Sequence, residues 1–421
     1  MRAHRPRRVL VHAAGELGEC LAGPEIRALE FAKALGAEYD VTLAAMRSAG
    51  GERDGIRVVP STRRNLVREA RLHDAVLSAC LPPYLLAMGA LLRGPLTIAD
   101  LYDPHEQELA TLDHGRERTR ALHARAAIQA LHLRHADVVL CASEPQREEL
   151  QRSARALRSP RTDPVVLPFG LPDPPAPSGR RPLHETFPQL GDGDTVVLWW
   201  GTPWRWLDAE TPIRAFARIA NTRPDLKLVI TAGKPLNAQA ERRYDVSEEL
   251  RALAGELGVL DRTVLFLDEW IPYEQRFDFL READIGVTLH RHADEARLAV
   301  RSRYMDYLSA ELPCVLGRGD ETAEELGAAG FATLLEDPGP DELLTALLAL
   351  ADDPGAIAAA RAAGHALAAE RHWGAVGSRL RGVVSEGFQR QDAPRSPSLA
   401  SLAGTGAFYT RRLLDRIAAA G

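Results

Sequence analysis

Short apolar runs alternate with helical patterns along this chain, in two series separated by a proline-dense break, and few folds accommodate that order. In the first series RRVLVHAA reads as a strand and GPEIRALEFAKALG as a helix with Pro24 near its start and Gly36 at its end; YDVTLAA is the next strand. IRVVP, AVLSA, LTIADLYD, a long Ala- and Arg-rich helix ending near His135, ADVVLCAS and VVLPFG complete it. LPDPPAPSGRRP cannot hold regular structure. The alternation then restarts with TVVLWWG, LKLVITAG, TVLFLD, DIGVTLH, CVLG and FATLLE, each separated by a helical segment. Strict alternation implies right-handed crossovers and parallel sheets. The expected fold is α/β, with two Rossmann-like domains whose parallel sheets face a central cleft. The expected division is 1–172, a linker over 173–190, a second domain over 191–390, and a loop with a C-terminal helix over 391–421 that returns to the first domain. A length of 421 residues suits two domains of about 200 residues each.

A net charge of −6 with no basic run argues against nucleic acid as a partner. Cys20, Cys80, Cys141 and Cys314 are far apart and lack the spacing of a zinc or redox site. The apolar run near the N-terminus is shorter than a signal-peptide core, and no stretch approaches the roughly 20 apolar residues of a membrane span. The expectation is a cytoplasmic protein. Arg63, Arg64, Arg68 and Arg71 read either as a solvated helix face or as a contact with anionic lipid, which would make the protein peripherally membrane-associated.

In parallel α/β sheets ligands collect beyond the carboxyl ends of the strands. AAGELGECLAGP, after the first strand, reads as a glycine loop that admits an anion or as a plain flexible connection. LYDPHEQE gathers Asp100, Asp103, His105 and Glu106; Asp103 suits a helix N-cap, and His105 suits hydrogen bonding or proton exchange near neutral pH. In GTPWRWLDAE, Arg205 lies between two tryptophans that could stack on its guanidinium and hold it toward a phosphate. Lys234, one of three lysines in the chain, follows the strand LKLVITAG, where a cation suits a leaving diphosphate. His290, His292 and Asp294 form an HxHxD string without a further cluster to complete a metal shell, so no metal is expected and His290 reads as a polar strand end. In RSRYMDYLSAELPCVLGRGD, Val300, Tyr304 and Leu308 recur at the spacing of one buried helical stripe, turning Asp306 toward solvent or a cleft.

The stretch from LFLDEWIPYEQRF to CVLGRGD, together with VVLPFG and the early GPEIRALEFAKALG, resembles the retaining nucleotide-sugar glycosyltransferases of the GT-B kind, and among them glycosyltransferase family 4. That family carries a Glu-x7-Glu helix before a proline and an apolar strand. Anchored on Pro313, its second glutamate falls on Asp306 and its first on Leu298, with Glu295 the nearest carboxylate. The resemblance implies that Asp306 accepts hydrogen bonds from the donor's ribose and that Glu295 holds hydroxyls of its sugar. It also implies that Arg205 and Lys234 face the diphosphate, that the loop of Trp270, Ile271 and Tyr273 accepts the base, and that Gly201, His290 and Arg301 complete the donor site. The acceptor would bind on the first domain around Arg27, Asp100, Asp103 and His105. The implied reaction moves a sugar from a nucleoside-diphosphate donor to a glycan, lipid-linked or small-molecule acceptor, with retention and without a cofactor. A sugar-nucleotide epimerase or a non-catalytic sugar-binding protein of the same two-domain plan are the competing readings.

Overall fold

A computed structural model describes residues 5–48, 50–90, 94–112, 115–159, 163–233, 245–291, 293–369, 371–392 and 403–410. The chain divides into two compact units, residues 1–168 with 373–421, and residues 169–372. The first unit is built on strands β1 (Arg8–Glu16), β2 (Asp40–Met46), β3 (Gly51–Arg53), β4 (Ile56–Pro60), β5 (Ala75–Ser78), β6 (Leu96–Asp100), β7 (Val138–Cys141) and β8 (Val165–Val166). They lie in the order β3-β4-β2-β1-β5-β6-β7-β8, every pairing parallel except β3 with β4. Val9, Leu10 and Val11 on the central strand are fully buried, which is why the run reads as continuously apolar rather than alternating.

The second unit is built on β9 (Thr195–Trp199), β10 (Leu226–Thr231), β11 (Val264–Leu267), β12 (Ile285–Thr288), β13 (Cys314–Gly317) and β14 (Ala332–Leu335), in the all-parallel order β11-β10-β9-β12-β13-β14. In each sheet the strand order reverses at the central strand, between β1 and β5 in the first and between β9 and β12 in the second. A crevice opens at such a reversal, beyond the strands' carboxyl ends. Among the described residues no single helix is long and apolar enough to cross a membrane.

Two features depart from the sequence-based expectation. Helix Trp373–Asp392, placed by sequence in the second domain, belongs to the first unit. Trp373 meets the Phe31 ring edge-on at 6.0 Å, Arg381 bonds Glu38 at 3.0 Å, and Gly377 lies so close to Ala34 that a Cβ would collide. The helix expected to run through Val300 begins only at Ser302, and the segment before it forms a separate short helix, Ala293–Leu298, with Arg301 in extended conformation between them. Arg301's side chain is held on both sides by buried carboxylates described below. The segment 393–402 and the remainder of the expected C-terminal helix beyond Thr410 lie outside the described residues.

Candidate functional site

At the reversal in the second sheet, β9 ends in Trp199 and runs into Trp200 and Gly201. Gly201 has φ +84, a conformation glycine adopts without steric cost, and its amide donates to Thr231 Oγ1 at 2.6 Å. Helix Ser302–Ser309 is pinned to this strand end by Tyr307, whose hydroxyl lies 3.2 Å from the Leu198 carbonyl and 3.1 Å from that of Val287, and receives the Trp200 amide at 3.2 Å. Gly286 makes this possible, because a Cβ there would sit 2.9 Å from the Tyr307 ring.

Asp306 is not on a solvated face: only 8% of the residue is exposed. Its carboxylate accepts from Trp200 Nε1 at 3.1 Å and from Arg276 Nε at 3.2 Å. Burial raises its pKa, and Arg276 pulls it back down. Arg276 also donates to the Tyr273 carbonyl at 2.5 Å and lies over the Tyr273 ring at 3.6 Å. The expected ribose ligand and the expected base loop are therefore joined by one side chain. Trp270 and Ile271 are half-buried in that loop, and Gly233 packs so tightly on it that a Cβ would lie 2.8 Å from Trp270 backbone atoms.

Two expected donor ligands are engaged elsewhere. Arg301 is buried and held by Glu295 at 2.7 Å and Asp320 at 2.6 Å. Asp320 in turn caps helix Glu321–Ala328 through Thr322 and Ala323. Glu295, 2% exposed, and Arg301 face each other rather than a sugar or a diphosphate, because a buried charge left unpaired is costly. Arg205 remains at the surface beside Glu249 at 3.6 Å, and Trp204 and Trp206 stack on one another instead of on its guanidinium. Lys234 and His292 lie outside the described residues. His290, at the end of β12, is neutral: burial, then the Arg301 charge, push it down to about 4, and its buried Nδ1 has no partner.

The residue that sequence reasoning missed is Arg303. Its Nη2 donates to the Thr202 carbonyl at 3.2 Å and sits where a Cβ on Gly201 would be only 3.2 Å away, while its Nη1 is buried without a partner. It has no ion pair among the described residues, and burial pushes it down to about 10, so it stays a cation at neutral pH. Its position, two residues past Arg301 in a chain rich in arginine, carried no local signal.

In the first unit the expected acceptor residues separate into two groups. Arg27 and Asp100 form a bidentate pair, at 2.7 and 3.0 Å, with 1% and 2% exposure. Arg27 also donates to the Leu167 and Pro168 carbonyls and lies over Phe31 and Tyr102. This pair anchors the core and presents no surface to an acceptor. Asp103 and His105 do meet, with His105 between Asp103 at 3.3 Å and Glu108 at 3.4 Å. Asp103 is thus not the helix N-cap, a position held by Pro104. Desolvation works against the imidazolium, but the two carboxylates outweigh it and the His105 pKa is raised; desolvation and Glu108 push Asp103 up to about 6. These three side chains have metal-ligand reach, and the imidazole faces one carboxylate with each nitrogen, as an imidazolium donating to both would. β1 runs on through Gly15 to Glu16, and the carboxyl of Glu25, from the following helix, lies where a Gly15 Cβ would be. Burial pushes that carboxyl up to about 7, opposed by its backbone hydrogen bonds and assisted by Asp103.

No family model matches this sequence, and no curated protein matches it. Solved structures do. WaaG, a glycosyltransferase involved in lipopolysaccharide biosynthesis, superposes with a TM-score of 0.66 at 13% identity, over 89% of this chain and 99% of that one. Sucrose-phosphate synthase from Thermosynechococcus elongatus gives 0.66 at 16%, over 91% and 100%. HepE from Anabaena, in complex with UDP-glucose, gives 0.65 at 16%, over 90% and 99%. At these identities the likeness establishes the fold: the chain is α/β, with two mostly parallel sheets, of the GT-B kind.

Proposed function

We propose that this protein is a glycosyltransferase that moves a sugar from a nucleoside-diphosphate donor to an acceptor hydroxyl with retention of anomeric configuration. The observation that carries the reading is the strand reversal at β9 and β12, where a buried carboxylate, Asp306, and a half-buried guanidinium with no ion pair among the described residues, Arg303, flank the Gly201 turn. HepE, which shares the fold, has been solved with UDP-glucose, and that supports the same ligand class here. Asp306 accepts from the ribose hydroxyls, and backbone groups of the Trp270–Tyr273 loop take the base. Arg303, with Arg205 and Lys234, meets the diphosphate, and neutral His290 faces the sugar.

In the reaction the anomeric bond breaks with its electrons going to the diphosphate oxygen. The acceptor oxygen bonds the anomeric carbon, and its proton leaves with the diphosphate. Guanidinium groups address the negative charge that develops on the leaving group. The acceptor binds on the first unit near Asp103 and His105, and no metal ion is part of the scheme.

A thermal-shift screen against UDP, GDP, ADP and dTDP tests the donor site, since a ligand that binds only the folded state raises its stability. Incubation with a nucleotide-sugar panel and acceptors then separates the outcomes. Nucleoside diphosphate released only with acceptor is the expected result. An epimerised donor, or binding without turnover, would replace this reading.

A further inference from the structure

Asp306 is held by a contact that the donor-site reading does not require. Its two side-chain donors are the neutral indole of Trp200 and the guanidinium of Arg276. Arg276 is itself 6% exposed, fixed by the Tyr273 carbonyl and the rings of Tyr273 and Phe277, and Asp306 is its only carboxylate partner among the described residues. We propose that Arg276 is the positioning residue of the donor site: it ties the loop after β11 to Asp306 and is that carboxylate's charge partner, so that ribose and base are met by one preorganised unit. The inference rests on the donor-site reading above.

The other charged groups around Asp306 do not take over this role. Arg303, on the same helix, contributes at longer range and bonds Thr202. Arg361 and His365, from the helix packed alongside, are spent on Glu311 at the far end. Tyr307, the next residue on the same helix, turns its hydroxyl to the strands, 3.2 Å from that of Thr288. Without Arg276 the carboxylate would lose its nearest charge partner, and burial would push its pKa further up.

The test is isothermal titration of the full chain between pH 7 and 9, above the last phosphate ionisation at about 6. The ligand is whichever of UDP, GDP, ADP and dTDP the wild type binds most tightly. Wild-type affinity should be flat across this range. Arg276→Met should bind on the order of tenfold more weakly at pH 7 and recover most of that loss by pH 9. Arg276→Lys should restore the flat profile, and adding Asp306→Asn to Arg276→Met should abolish the trend. If Arg276→Met does not fold, Arg276→Gln retains a donor for the Tyr273 carbonyl while removing the charge, with the same expectation. A flat profile for the charge-removing variant, or a trend that survives Asp306→Asn, overturns the proposal and leaves the donor site standing. A wild type that binds none of the four nucleotides overturns both.

Discussion

Replacing Arg303 by methionine should stabilise the unliganded protein and weaken its nucleotide affinity at the same time. A guanidinium held at about 10 instead of 12.5 is on the order of 3 kcal/mol less favourable as a cation than in water. Its bond to Thr202 and its position 5.7 Å over the Trp199 ring recover part of that, so the net gain on removal is about 1–2 kcal/mol. For a unit of this size each kcal/mol moves the melting temperature by about 2–4 °C, so Arg303→Met should melt about 2–8 °C higher. A charge-assisted hydrogen bond to a phosphate is worth about 1.5–3 kcal/mol, or roughly 10- to 150-fold in affinity. At a concentration 100 times the wild-type Kd, ligand adds about 2.7 kcal/mol of stability; between about half and nine-tenths of this should vanish in the variant. Differential scanning fluorimetry with and without UDP reads both effects. A variant that melts lower than wild type and keeps the full nucleotide shift would refute the reasoning, because Arg303 would then be an ordinary packed arginine.

Two further outcomes follow from the same physics. Asp100→Asn breaks a buried bidentate pair and leaves Arg27 uncompensated, so urea unfolding should show the first unit destabilised by about 3–5 kcal/mol rather than a selective change in acceptor KM. His12, His132 and His290 are each pushed down to about 4, chiefly by burial, so the unfolded chain takes up protons before the folded one does. The stability they contribute is complete above about pH 6.5 and lost as pH falls toward 4, at about 3 kcal/mol per group as an upper limit. A melting temperature recorded from pH 7.5 to 4 should fall across that window, and the fall should be shallower in His132→Gln.

Periodicity and turn chemistry are local, and what depends on them was legible. The buried run RRVLVHAA, the helix opened by Pro24, and the proline-dense stretch after Leu171 each reveal their conformation within a dozen residues, and their alternation implies parallel sheets with ligand-binding ends. Asp306 stood out for the same reason, as an aspartate inside a helical pattern before Pro313. Partners are not local. Arg27 finds Asp100 across 73 positions, Arg276 finds Asp306 across 30, and Arg301 settles between Glu295 and Asp320. No sequence spacing indicates which arginine will be neutralised, because in a chain with this many arginines the outcome depends on which acid shares its buried space. Helix Trp373–Asp392 likewise carries no mark of its destination; it joins the first unit because Gly377 and Trp373 fit against Ala34 and Phe31. The amino-acid order alone therefore determined the layers and the ends at which ligands collect. Tertiary packing decided which charges are spent on the fold and which, Arg303 above all, have no ion pair among the described residues, since only packing sets the desolvation each charge must bear.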